Sequence, residues 1–222
     1  MAGEWDDLAC QYAPAVWQQW LQPQIIAHLK QQQQQQTAEL LLLDFGCGTG
    51  MLIEQIFEHK DALLEHCSSI TILAVDASTA MLAVLNEKIR SCGWNDETSD
   101  IKVISHHWKL GSDSADQFMA QYTHSVHILL ASLVLSYIPP AETPTMMQAL
   151  QRLLVPRAVL LQTDWPPATG ATPPADHPMT LERARELYAS GGFVPITVDI
   201  RPLRMAPGNA PDILFGVAIL PE

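Results

Sequence analysis

Three glycines at alternate positions, Gly46, Gly48 and Gly50, follow the apolar run Leu40–Phe45, with Asp44 just ahead of the first. Glycine permits positive φ and lets a ligand approach the backbone closely. A helix beginning after Gly50 would add free N–H groups and a partial positive charge. Together these residues describe a cradle for a nucleotide or an anion. The spacing narrows the choice. A dinucleotide fingerprint is G-x-G-x-x-G, and here Met51 stands where its third glycine belongs. A phosphate loop needs G-x-x-x-x-G-K-[ST], and no lysine follows. A carboxylate at Asp44 suits a ligand that carries an ammonium. A second one, Asp76, closes the apolar run Ile70–Val75, 26 positions after Gly50. There it is placed to accept hydrogen bonds from both hydroxyls of a ribose.

These residues need strands that end at them and helices that start behind them, and the pattern supplies both. From residue 38 strands and helices alternate. Leu40–Phe45, Ile70–Val75, Ile101–Ser105, Val126–Leu130 and Val159–Thr163 read as strands; Met51–Phe57, Ser78–Arg90, Thr143–Leu154 and Thr180–Ala189 read as helices. Met81, Leu82, Leu85 and Ile89 share one face of the second helix, and Ser78 is its N-cap. Gly191-Gly192 stops the last helix. Val194–Ile200 and Ile213–Leu220 close the chain as two strands with no helix between them. The expectation is a Rossmann-like, doubly wound sheet of seven strands, mostly parallel, with an antiparallel C-terminal edge strand. Ahead of it, residues 1–37 form a helical cap and a Gln-rich linker, Gln31–Gln36; residues 38–222 form the ligand-binding domain. In the cap Trp5, Leu8, Ala9 and Tyr12 share a helical face, and Pro14 and Pro23 open a second and a third helix. The segment Trp165–Pro178, with five prolines, is irregular and follows the fifth strand. It is either a lid over a pocket or a tolerated insertion.

S-adenosylmethionine carries an amino-acid end and a ribose end, the pair that Asp44 and Asp76 would meet. Asp44-Phe45-Gly46-Cys47-Gly48-Thr49-Gly50 resembles motif I of the class I S-adenosylmethionine-dependent methyltransferases. Val75-Asp76-Ala77-Ser78-Thr79-Ala80-Met81-Leu82 resembles their ribose motif. Ile128–Ile138, Leu153–Leu161 and Gly191-Gly192-Phe193 resemble later family segments, in the same order. Trp5-Asp6, Ala9 and Tyr12 resemble the entry of the small-molecule branch related to ubiquinone- and menaquinone-type enzymes. The resemblance implies that Asp44, Gly46, Cys47, Gly48 and Gly50 line the methionine end and that Asp76 holds the ribose. It implies that Ala77 and Met81 pack on the adenine, that Tyr12 closes over the cofactor and that Ala131 lines the fourth strand's end. Met81 and Tyr12 also suit plain core packing. The chain departs from the pattern at Ser105-His106-His107-Trp108, where the family places a glycine and an acid near the adenine amine. His107 and Trp108 then become the adenine contacts, a neutral imidazole accepting from the amine and an indole stacking on the purine. Alternatively that loop is rebuilt and contacts nothing.

The resemblance also implies the reaction, transfer of a methyl group in line to an acceptor. Alignment and desolvation supply much of such a rate; a base is needed only if the acceptor must lose a proton. In the family's geometry Tyr137 would face the methyl. His177, at the end of the proline-rich segment, has an imidazole suited to a base, or is an exposed loop residue. Ser136 is a weaker contact. The acceptor atom and the oligomeric state are not legible.

Composition sets the outer bounds. The 222 residues are 48% apolar and 16% charged, enough for a core. The net charge of −12 and the lack of a basic stripe exclude a general nucleic-acid binder, and a small molecule is the expected substrate. No apolar run reaches a membrane span's length of about 18 residues. The acidic N-terminus is no signal peptide, and Cys10, Cys47, Cys67 and Cys92 make no C-x-x-C pair. No metal site is expected, and a reducing cytoplasm is the simplest compartment. His106 and His107, neighbours in a strand, point to opposite faces. Two other functions compete: a cofactor-binding pseudo-enzyme acting as a partner or scaffold subunit, and a nicotinamide-dependent oxidoreductase.

Overall fold

The structure, a computed structural model, describes residues 11–32, 39–168, 175–205 and 211–222. Trp5, Leu8, Ala9, Cys10, most of the glutamine run and the proposed boundary at residue 37 lie outside these. The chain forms two compact units, Met1–Phe118 and Met119–Glu222.

The first unit holds three parallel strands in the order β3-β2-β1: β1 (Glu39–Phe45), β2 (Ser69–Asp76) and β3 (Ile101–His107). The near-continuous Leu, Ile and Val content of β1 and β2 is what strands buried on both faces require, whereas β3 alternates buried and exposed positions at its start. β1 pairs with β2 from Leu40 opposite Ile70 to Phe45 opposite Val75. This register ends Asp44 and Asp76 at the same sheet margin. β3 runs two residues past Ser105, so His107 lies opposite Asp76.

The N-terminal segment differs from the three helices expected. Residues 11–32 run as one helix, with a π turn at Trp17–Leu21 leading into α1 (Gln22–Gln32). Pro23 lacks an N–H and would clash with a regular α-helical carbonyl four residues back. The wider π turn, in which the Gln22 N–H donates to Trp17 O, opens the ladder just before it. Val16, Trp17, Leu21, Ile25 and Leu29 are all buried. Trp17 lies 6.3 Å from the His59 ring, centroid to centroid, and its buried Nε1 has no hydrogen-bond partner. Trp17→Phe removes ring volume together with this unpaired N–H, and the two effects oppose. The expected loss of stability in urea unfolding is about 1 kcal/mol; a loss of 3 kcal/mol or more would show that the N–H is satisfied.

The remaining helices of this unit are α2 (Met51–Glu58), α3 (Lys60–Leu64) and α4 (Thr79–Ser91), with α5 (Asp113–Gln121) at the boundary; α3 and α5 have no counterpart in the sequence reading. Ser78 caps α4 as expected, its Oγ accepting from Met81 N at 3.3 Å.

The second unit holds β4 (Val126–Ser132), β5 (Leu154–Asp164), β6 (Val194–Pro202) and β7 (Asp212–Ile219), in the order β4-β5-β7-β6. β4 and β5 are parallel, and β7 runs antiparallel to both β5 and β6. The chain thus has the seven strands of a Rossmann-like, mostly parallel sheet with an antiparallel margin. The C-terminal strand β7 sits one place in and is buried, while β6 takes the edge and exposes Val194 and Ile196. α6 (Thr143–Gln151) stops earlier than the helix to Leu154 that was expected, and β5 starts at Leu154. Val155 precedes Pro156 and is pushed toward extended geometry. Arg157 then takes φ +66°, and the register shifts between Val126 and Ile128. α7 (Leu181–Ser190) is capped by Thr180, whose Oγ1 accepts from Arg183 N at 3.1 Å. Among the described residues no helix is long and apolar enough to cross a membrane.

Candidate functional site

The loop after β1 is built from its glycines. Gly46, Gly48 and Gly50 have φ of +75°, +54° and +87°, conformations that cost a residue with a Cβ about 1 kcal/mol or more. The Gly46 and Cys47 amides donate to Val75 O, and Gly50 N donates to Cys47 O. Asp76 completes the loop. One of its carboxylate oxygens accepts from Gly48 N at 2.9 Å, the other from Ser78 N at 2.7 Å. Two of about four lone-pair sites are used, which leaves acceptor capacity for a diol. A Cβ on Gly48 would meet nothing within 4 Å, whereas one on Gly50 would lie 2.6 Å from Leu85 Cδ1. Gly48 therefore borders open space, and Gly50 is small so that α4 can pack against the loop.

Asp44, near the end of β1, is only 2% exposed, and its Oδ2 has no hydrogen-bond partner. Burial, and then the charge of Asp76, push its carboxyl up to about 7. The same burial and both carboxyls push the Cys47 thiol well above its ordinary value, so it stays protonated and unreactive. Burial without a partner, beside a second carboxylate, disfavours the ionised form of the Asp44 carboxyl.

Beside it, Trp108 N donates to Asp76 O at 3.0 Å. The Trp108 indole packs edge-on against Phe45, ring centroids 5.3 Å apart, with its buried Nε1 unpartnered. His107 Nε2 lies 3.1 Å from Ala77 O and donates to it. His106 turns to Phe118, 4.9 Å between rings, so the two histidines part as a strand requires. Met81 is half-buried on α4 and Tyr12 is buried in the N-terminal helix.

The second unit gathers a separate group at the ends of β4 and β5. Ala131 is buried and pairs with Gln162. Ser132 and Thr163 share a hydrogen bond of 2.8 Å between their hydroxyls. Tyr137 lies in a 3₁₀ turn, Leu135–Tyr137. Ser136, in the same turn, ties two further residues together. Its N–H donates to Asp164 Oδ1 at 3.1 Å, and its carbonyl accepts from His177 N at 2.8 Å. Asp164 is fully buried. It also accepts from Trp165 N at 3.2 Å and from Gln162 Nε2 at 3.3 Å, while Gln162 Oε1 accepts from Tyr188 at 2.7 Å. Burial raises its carboxyl to about 6, against those hydrogen bonds. Burial, with Asp164 and Asp176 behind it, raises the Tyr137 phenol to about 12. Arg183, in the first turn of α7, spends its guanidinium on backbone carbonyls, those of Leu135 and Ile138 on one side and of His177 and Pro178 on the other.

The sequence reading missed Asp164 and Arg183. The signal for Asp164 was there, in a polar Gln162-Thr163-Asp164 closing an apolar strand. Arg183 looks like any charge on the wet side of an amphipathic helix. Among the described residues no group of three or more acidic, His or Cys side chains could hold a metal ion.

A family model described as a methyltransferase domain matches residues 43–160, from the strand entering the cradle to the middle of β5. No curated protein matches the sequence. Solved structures do match in fold. One is an S-adenosylmethionine-dependent methyltransferase from Methanosarcina mazei, 18% identical, covering 84% of this chain and 95% of its own, with a TM-score of 0.63. Another, from Mesorhizobium loti, is 17% identical over 92% of this chain and 97% of its own, at 0.57. A third is a [4+2]-cyclase, 13% identical over 89% of this chain and 80% of its own, at 0.58. At such identities the likeness is one of fold, and the fold serves more than one named reaction.

Proposed function

The chain belongs to the methyltransferase-domain family, and on that premise we propose that it transfers the methyl group of S-adenosylmethionine to a small-molecule acceptor. S-adenosylmethionine is the cofactor. The observation that carries this reading is the pairing in the cradle: a buried carboxyl oxygen without a partner at Asp44, and a loop-bound carboxylate with capacity to spare at Asp76. Asp44 is placed to meet the methionine ammonium and Asp76 the ribose hydroxyls. Gly48 leaves the space that a bound methionine would fill. Ala77, Met81, His107 and Trp108 are assigned to the adenine side, with Gly46, Cys47 and Gly50 shaping the loop, Tyr12 covering it and Ala131 at the end of β4. His107 is held in place by its Nε2, which donates to Ala77 O.

The bound cofactor supplies an electrophilic methyl on a sulfonium, and the protein's part is alignment and the exclusion of water. Tyr137 and His177 are the proposed acceptor-side residues. A phenol raised to about 12 keeps its proton at neutral pH, so Tyr137 acts as a hydrogen-bond donor that orients the acceptor. Where the acceptor must lose a proton, His177 is the base. A net charge of −12 supports a small molecule over a nucleic acid. Cys47, Cys67 and Cys92, all free, support a reducing, cytoplasmic setting. Residues 1–37 are proposed as the cap of a domain formed by 38–222.

Calorimetric titration tests the reading: micromolar binding of S-adenosylmethionine and S-adenosylhomocysteine, with none of NAD, is expected. NAD binding alone would overturn it in favour of an oxidoreductase. Cofactor binding without turnover on any phenol, amine, thiol or carbon acid would turn it toward a scaffold subunit. Asp76→Asn should weaken binding about tenfold, close to 1.4 kcal/mol, through the loss of charge-assisted hydrogen bonds. An unchanged Kd would remove the ribose assignment.

A further inference from the structure

We propose that Arg183 is a positioning residue for methyl transfer, a half-buried fork that fixes the turn carrying Tyr137 against the segment carrying His177. This rests on the reading of Tyr137 and His177 as acceptor-side residues. Tyr137 and His177 are 40 residues apart in sequence. The Leu135 carbonyl at 3.1 Å and the Ile138 carbonyl at 2.8 Å accept from Nη2, on either side of Tyr137 in the chain. The His177 carbonyl accepts from Nη1, and Pro178 O lies 3.5 Å from the same nitrogen. Only a planar guanidinium presents donors in two directions from one rigid group; a lysine ammonium is a single point on a flexible stem.

The rest of the device fits this role. The His177 amide donates to Ser136 O, and the Ser136 amide donates to Asp164. The turn is therefore held through its backbone by Arg183 on one side and by Asp164 on the other. Asp164 also gives the half-buried guanidinium a compensating charge. A purely structural arginine on α7 would be expected to pair with a surface carboxylate. This one is desolvated, and its donors go to the carbonyls that flank the two candidate functional side chains. The charge acting on it is Asp164 on β5, and its hydrogen bonds go to backbone carbonyls alone.

Hydrogen exchange and steady-state kinetics on full-length Arg183→Met and Arg183→Lys proteins test the proposal. Backbone amides in 133–139 and 175–179 should exchange at least tenfold faster in Arg183→Met, while those of 40–45 and 70–76 keep wild-type rates. With an acceptor taken from the phenol, amine and thiol panel, kcat should fall at least tenfold while KM for S-adenosylmethionine stays within twofold. Arg183→Lys, which keeps the charge but not the fork, should fall between Met and wild type in both measurements. Wild-type exchange in both segments, or wild-type kcat in Arg183→Met, would overturn the proposal. So would a uniform rise in exchange across the chain in both variants, the sign of a merely structural role. Tyr137→Phe and His177→Ala separate the two levels. If both turn over normally, the acceptor-side reading fails, whatever Arg183 does to exchange.

Discussion

Gly48→Val should fold and lose the cofactor, with Kd rising at least a hundredfold, whereas Gly50→Val should lose about 2–5 kcal/mol of stability. The two glycines sit two residues apart in one loop, and the sequence gives them the same role. The structure separates them. Both have positive φ, so either valine costs backbone strain of about 1–2 kcal/mol. Beyond that, a Cβ at position 48 meets nothing within 4 Å. Its side chain would project into the space left for the ligand and displace it. At position 50 the new Cβ lies 2.6 Å from Leu85 Cδ1, and Leu85 is fully buried on α4. The overlap requires the buried Leu85 side chain to shift, and overpacking of this kind adds about 1–3 kcal/mol. The sum, about 2–5 kcal/mol, is a large part of a typical domain's stability of about 5–15 kcal/mol. Circular dichroism and calorimetry on the two variants check this. A Gly50→Val protein of wild-type stability that no longer binds, or a Gly48→Val protein that binds normally, would reverse the assignments.

How far the sequence carried the site follows from the kind of signal each residue sends. The cradle was legible because its demands are local. A strand, three glycines at alternate positions and an N-capped helix each leave a mark within a few residues, and Asp44 and Asp76 end apolar runs. β1, β2, β4 and β5 were legible because buried parallel strands are continuous in Leu, Ile and Val. What stayed hidden depends on distant partners. Pro14 and Pro23 read as helix openers because proline favours a first turn; that a π turn would carry the helix through Pro23 depends on the burial of Trp17 and Leu21. Arg183 gains its meaning from carbonyls some 45 residues earlier in the chain. The packing duty of Gly50 depends on Leu85, 35 residues later. β5 reaches back to Leu154 because Arg157 accepts a left-handed φ and its amide donates to Leu220 O, a long-range bond that no local pattern announces.

Cofactor affinity should fall about a hundredfold between pH 8 and pH 5, and Asp44→Asn should abolish that dependence. In the free protein the Asp44 carboxyl titrates at about 7, raised by burial and by Asp76. Its ionised form is the one that can pair with the methionine ammonium. Below pH 7 binding must therefore first remove a proton, and each further unit of acidity costs about tenfold, or 1.36 kcal/mol. Above pH 8 the cost vanishes. Calorimetry near pH 7 in buffers of different ionisation enthalpy should show the proton leaving on binding, close to half an equivalent. The sign for folding is the reverse. The folded-state value lies above the unfolded one near 3.8, so this carboxyl favours the folded state fully below 3.8, and that contribution is lost as pH rises through 7. The loss is on the order of 4 kcal/mol. Asp164, raised to about 6, adds a loss of the same sign that is complete at lower pH. The ligand-free protein should therefore unfold more readily at pH 8 than at pH 5. The cofactor should raise its melting temperature most where Asp44 is ionised. An Asp44→Asn protein that keeps the wild-type pH dependence would place the titrating group elsewhere. One that binds more tightly than wild type at pH 8 would mean that the carboxylate is not the ammonium's partner.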